Sequence, residues 1–146
     1  MAKFDRLLRK VDVRSVIRQS VVLPASTESL FDAYLDPATH AAFTGFPVTI
    51  SGEPGSPFKA FGGQLSGTIL AVARPQLIVQ SWRSTKFHAT DPDSTLILSF
   101  STDPAKPENG RIDLVHLDVP KHGYDDVVAG LSKYYWEPWR AYLERR

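Results

Sequence analysis

The segment from Tyr124 to Arg146 constrains this chain more than any other stretch. Val127, Val128, Leu131, Tyr134, Tyr135, Pro138 and Tyr142 recur at steps of three and four. That spacing places them on one face of a helix, which Trp139 and Leu143 widen. Asp125 and Asp126 stand in the first turn and Arg140, Arg145 and Arg146 near the end, the charge order that suits a helix dipole. Such a helix reaches ~30 Å, the width of a small domain. A stripe this broad and this aromatic requires a large apolar partner surface, which the rest of the chain must supply. The tyrosines give the face polar tips, so it can seal as core or roof a cavity. Pro138 removes one backbone hydrogen bond and predicts a kink, separating a packed first part from a more adjustable end.

The chain has 146 residues, the length of one domain, and 42% apolar with 23% charged residues is the composition of a globular protein. A chain of this length buries a core without staples. It has no cysteine, which rules out disulfides and thiolate metal sites and fits a reducing compartment. A net charge of +1 with no long run of one sign argues against a nucleic-acid surface. No apolar run reaches membrane-spanning length, and the first residues lack the apolar middle of a secretory signal. A cytoplasmic location is expected. Phe4, Leu7, Leu8 and Val11 have helical spacing, so residues 1–12 read as an amphipathic arm. That arm is a docked helix, a frayed end or a homodimer contact, and residues 13–146 form the single domain.

Arg14 to Leu23 alternates and reads as a strand. Ser26 caps a short helix with Leu30, Phe31 and Tyr34 as its stripe, and Asp36-Pro37 starts a second that ends near Gly45. Strands then follow over Val48–Ser51, Phe58–Phe61, Leu65–Arg74, Leu77–Lys86, Ser94–Ser101 and Ile112–Val119, with Gly62-Gly63 and Pro75-Gln76 as turns. Short connections imply antiparallel neighbours. The expected class is α+β: a curved antiparallel sheet of about seven strands wrapped around a long C-terminal helix.

This order resembles the helix-grip fold of START-related lipid-transfer domains and the birch-pollen-allergen superfamily. More narrowly, it resembles the activator-of-heat-shock-protein-90-ATPase homologues. The resemblance is carried by Leu30–Pro37, Phe61–Ile69, Leu77–Arg83, Ile112–Pro120 and Gly130–Trp139. Leu131 stands where that family often has tryptophan. The family's eukaryotic co-chaperones carry a further N-terminal domain, which is not expected here. The resemblance implies no metal or cofactor, and it marks Trp82 as a cavity residue.

No phosphate loop, zinc-binding helix motif or nucleophile elbow is present. His40, His88, His116 and His122 are scattered, with no two at ligand spacing on one element, so no metal site is expected. His116 and Asp118 share a strand face by alternation. That face is expected to meet solvent, with Val115, Leu117 and Val119 as core. If it is buried instead, the imidazole orients a polar ligand or acts as a general base. Trp82 shares a face with Ile78 and Gln80. Arg83 points the other way, toward a ligand carboxylate or a surface salt bridge.

The side chains expected to meet in a cavity are Phe31, Tyr34, Phe43, Phe61, Trp82, Tyr135 and Trp139. With Arg83 and His116 they form the candidate ligand-binding set, and no catalytic residue is assigned. Three functions follow: a non-enzymatic binder of a small hydrophobic molecule, a chaperone-linked interaction module of the stress response, and a polyketide cyclase or aromatase.

Overall fold

The computed structural model describes residues 14–145, and the expected arm over residues 1–12 lies outside them. Alternation over Arg14–Leu23 forms β1. The Ser26 hydroxyl accepts from the Ser29 amide and starts α1, Thr27–Leu35. Asp36 caps α2, Pro37–Thr44, with Pro37 at its first position, and Gly45 ends it at φ 83°. Six strands follow: β2 Val48–Thr49, β3 Pro57–Ala60, β4 Leu65–Ala73, β5 Leu77–Ser84, β6 Ser94–Thr102 and β7 Gly110–Pro120. A single turn at Lys121–Gly123 leads into the C-terminal helix.

The seven strands among the described residues form one antiparallel sheet in the order β1-β7-β6-β5-β4-β3-β2. Its concave face buries Ile78 and Trp82 of β5, Leu96, Leu98 and Phe100 of β6, and Ile112 and Leu114 of β7. The helices pack on that face. Gly67 permits the sheet to bend: a Cβ there would stand 1.9 Å from the Ser81 carbonyl oxygen, closer than any side chain allows. The β4–β5 register also shifts nearby, between Ile69 and Ala71. Such irregularities increase twist and let a sheet wrap around a helix.

The C-terminal helix changes type along its length. It runs as α3, Tyr124–Leu131, a π turn, Ser132–Trp136, and α4, Glu137–Glu144. Where Pro138 predicts a kink, the structure has a π turn just before the proline. A proline ring collides with the carbonyl four residues back, and widening the turn before it makes room. The π turn also preserves the buried face. Steps of four drift ~40° in an α-helix, yet Val127, Leu131, Tyr135 and Trp139 all stay buried, because a π turn advances less per residue. Both parts of the helix are packed, so the adjustable end expected after Pro138 is instead anchored by Trp139.

One expectation is corrected outright. His116 is fully buried and Asp118 is exposed, so the two do not share a face. The pairing of β1 with β7 skips between Ser15 and Ile17, which leaves Val16 opposite both Leu117 and Asp118. Asp118 takes φ 59° in this bulge. The extra residue reverses the phase of the strand. Ile112, Leu114 and His116 point inward before it, and Val119 points inward after it.

Candidate functional site

Between the C-terminal helix and the concave face lies a cavity of about 510 Å³, within the usual range for small-molecule sites. Val127, Leu131 and Tyr135 form its roof, and Trp82, Leu96, Leu98 and Leu114 its floor. Tyr34 of α1 and Phe87 of the β5–β6 loop close two sides. Phe46, Phe61 and Tyr134 form an aromatic rim, with Phe61 centred 5.1 Å from Phe46 and 5.5 Å from Tyr134. Phe46 and Tyr134 are 48% and 44% exposed. Phe61 occupies the left-handed region at φ 53°, a conformation that costs ~1–3 kcal/mol in a bulky residue and directs its ring to the rim. Across the mouth, Lys86 and Asp126 form an exposed pair at 3.8 Å, a weak latch at best.

Two buried tyrosines bring polarity into this apolar lining. The Tyr34 hydroxyl donates to Gln80 Oε1 at 2.5 Å. The Tyr34 backbone carbonyl accepts from His40 Nδ1 at 2.7 Å, and His40 Nε2 lies 3.0 Å from the Tyr135 hydroxyl. A carbonyl only accepts, so Nδ1 carries the proton. Burial lowers the His40 pKa to about 4 and keeps the ring neutral. Nε2 therefore accepts, and Tyr135 donates. Burial also pushes both phenols well up, so they stay protonated. His40 and Gln80 were absent from the sequence-derived set. Their only signal was a polar residue at an apolar position of a helix and of a strand.

The remaining candidates fall elsewhere. Phe43 stacks on Trp139 at 4.1 Å and 3°, and Phe31 meets Phe100 edge-on at 5.4 Å. These three candidates build the core beside the cavity rather than its wall. His116 lies under Trp82, ring centres 4.8 Å apart. The Ser94 hydroxyl donates to the Trp82 carbonyl and so accepts from His116 Nε2 at 2.8 Å. Burial lowers the His116 pKa to about 4. Arg83 lies outside the cavity lining. It donates to the carbonyls of Asp91 and His88 at 2.6 and 2.8 Å and pairs with Asp93 at 3.2 Å. Of the sequence-derived candidates, the fold therefore places Tyr34, Phe61, Trp82 and Tyr135 around the cavity.

Among the described residues no helix is long and apolar enough to cross a membrane. No curated protein sequence matches the chain. Solved structures do. An HSP90 activator from Plasmodium falciparum aligns with TM-score 0.73 at 20% identity, over 84% of this chain and 91% of that one. A Mesorhizobium loti protein aligns with TM-score 0.74 at 15% identity, over 90% and 98%. Ara h 8.0201 aligns with TM-score 0.69 at 14% identity, over 90% and 99%. These likenesses establish the helix-grip fold. The sequence profile of the Activator of Hsp90 ATPase homolog 1-like proteins matches residues 24–144. The chain has the helix-grip fold and belongs to that family.

Proposed function

We propose that this chain is a non-enzymatic binding module that holds a small hydrophobic ligand between the C-terminal helix and the sheet. The cavity of about 510 Å³, apolar-walled with two buried tyrosines in its lining, carries this reading. The hydrogen-bond directions narrow the ligand. Tyr34 donates to Gln80 and Tyr135 to His40, so both phenol protons are engaged. A ligand group that reaches those oxygens has to donate, which favours a hydroxyl or amide N–H over a carboxylate. An ionised group would also lose its hydration without a paired charge. Residues 13–146 are the proposed module, acting in the cytoplasm, with residues 1–12 as an arm or homodimer contact.

A second reading, a chaperone-linked interaction module, draws on the Plasmodium falciparum relative, an HSP90 activator. The exposed Phe46 and Tyr134 at the rim are suited to such a contact. Cyclase or aromatase chemistry needs an acid or base beside the ligand. The enclosure of His116 beneath Trp82 and the firmly protonated phenols favour binding over that third reading.

The test is a thermal-shift screen of neutral hydroxylated apolar compounds against matched carboxylates and unsubstituted hydrocarbons. A true ligand at one hundred times its dissociation constant stabilises the fold by about 2.7 kcal/mol. Stabilisation by the hydroxylated set, weakened in a Leu98→Trp variant that fills the cavity, supports the reading. No response in any class, with chaperone capture that depends on Phe46 and Tyr134, favours the second.

A further inference from the structure

The β5–β6 loop and the turn before α3 meet at the surface and bring His88, Asp91 and His122 together. One ligand atom from each lies within 4.8 Å of the others. His122 Nε2 stands 2.8 Å from Asp91 Oδ2, and His88 Nδ1 stands 4.0 Å from the same oxygen. The two imidazole rings lie face to face at 3.8 Å and 7°. We propose that these three side chains form a binding site for a divalent transition-metal ion of the zinc class.

The donor set fits that class. Two imidazoles and one carboxylate suit Zn²⁺, Co²⁺, Ni²⁺ and Cu²⁺, whereas Mg²⁺ and Ca²⁺ prefer oxygen alone. Three protein ligands leave the fourth tetrahedral position to water. Ligand atoms around a tetrahedral zinc stand about 3.3 Å apart, from bond lengths near 2.0 Å. The His122–Asp91 pair is already closer than that. The ion takes the place of the proton that His122 shares with Asp91, and these two atoms separate slightly to admit it. The His88 ring has to turn so that its lone pair leaves the stack, and with 67% of its side chain exposed it has room to do so.

The backbone beneath the site is already ordered. His88 N–H donates to Asp91 Oδ2 at 2.8 Å, and Asp91 N–H donates to the His88 carbonyl at 2.9 Å. Arg83 clamps the carbonyls of both residues. Support of this kind holds a ligand set in place before the metal arrives. Bound metal ties the loop carrying Phe87 to the turn carrying Gly123, and both of those residues line the cavity.

The test is calorimetric titration of Zn²⁺ into the untagged full chain, with Co²⁺ visible absorption as a second readout. His40 and His116 are fully buried and residues 1–13 contain no histidine, so histidine-dependent uptake points to this cluster. One ion per chain is expected. His88→Ala and His122→Ala should each weaken binding by about tenfold or more, as losing even a supporting partner can. Both positions are partly exposed, and unchanged circular dichroism without metal verifies the fold of each variant. No uptake by the wild-type chain overturns the proposal. So does equal binding by the double variant, or binding that depends on His122 but not on His88.

Discussion

The hydroxyl of Tyr135, in the π turn of the C-terminal helix, donates to Nε2 of His40, in the second short helix, at 3.0 Å. His40 in turn donates through Nδ1 to the backbone carbonyl of Tyr34. This chain joins three helices at the side of the cavity and sets the direction of every hydrogen bond in it.

Replacing Tyr135 with phenylalanine keeps the ring and removes the donor. Nε2 of His40 is then buried without a partner, which costs ~1–3 kcal/mol. Urea denaturation should show a lower midpoint with an unchanged slope. An unaltered midpoint would mean that water replaces the hydroxyl.

Acid should weaken the fold through two histidines. Burial lowers His40 and His116 from 6.5 to about 4 in the folded chain. Between those values the unfolded chain binds more protons, so stability falls as pH drops from about 6.5 to about 4. The loss is on the order of 2–3 kcal/mol per histidine. Denaturation curves at several pH values in that window check it, and His116→Gln should flatten the dependence. Asp32 and Asp113, each held low by an arginine partner, add to the acid loss only below their ordinary value of 3.8.

Gly67→Ala should be among the most damaging small substitutions. The added methyl would meet the Ser81 carbonyl oxygen at 1.9 Å, and backbone on both sides limits relaxation. A loss of ~1–3 kcal/mol is expected, as for overpacking in a tight core. Thermal unfolding measures it. If the melting temperature holds, the β4–β5 pair separates more easily than its register suggests.

Arg83→Ala should loosen the β5–β6 loop rather than change ligand affinity. Its guanidinium bonds to two loop carbonyls and to Asp93, and it stands outside the cavity lining. Amide exchange should quicken over residues 85–93 while cavity ligands bind as before. A selective loss of ligand binding would return Arg83 to the binding set.

Strand and helix positions were legible in the residues because each rests on local rules. The Ser26 and Asp36 caps, Pro37 at a helix start and Gly45 at a helix end are nearest-neighbour chemistry. The shared face of Ile78, Gln80 and Trp82 was legible too, because alternation runs undisturbed along β5, while the place of Trp82 at the cavity was implied by the family resemblance. The same rule failed at His116, where one unpaired residue in the β1–β7 ladder turned the strand over. Alternation is a property of regular pairing, and a bulge depends on the partner strand, which lies far away in sequence.

The sequence alone determined that a long aromatic helix must find an apolar sheet, and that strands joined by short connections would pair antiparallel, because periodicity and turn chemistry act within a few residues. Only the tertiary structure decided which aromatics pack and which leave space. Phe43 meets Trp139 face to face and fills the core there, while Tyr34 and Tyr135 turn their polar tips to Gln80 and His40 and border a void. It also decided that His88 and Asp91 of the β5–β6 loop and His122 of the turn before α3 come together at the surface. Such juxtapositions depend on distances between elements, and those are set by how the whole sheet bends.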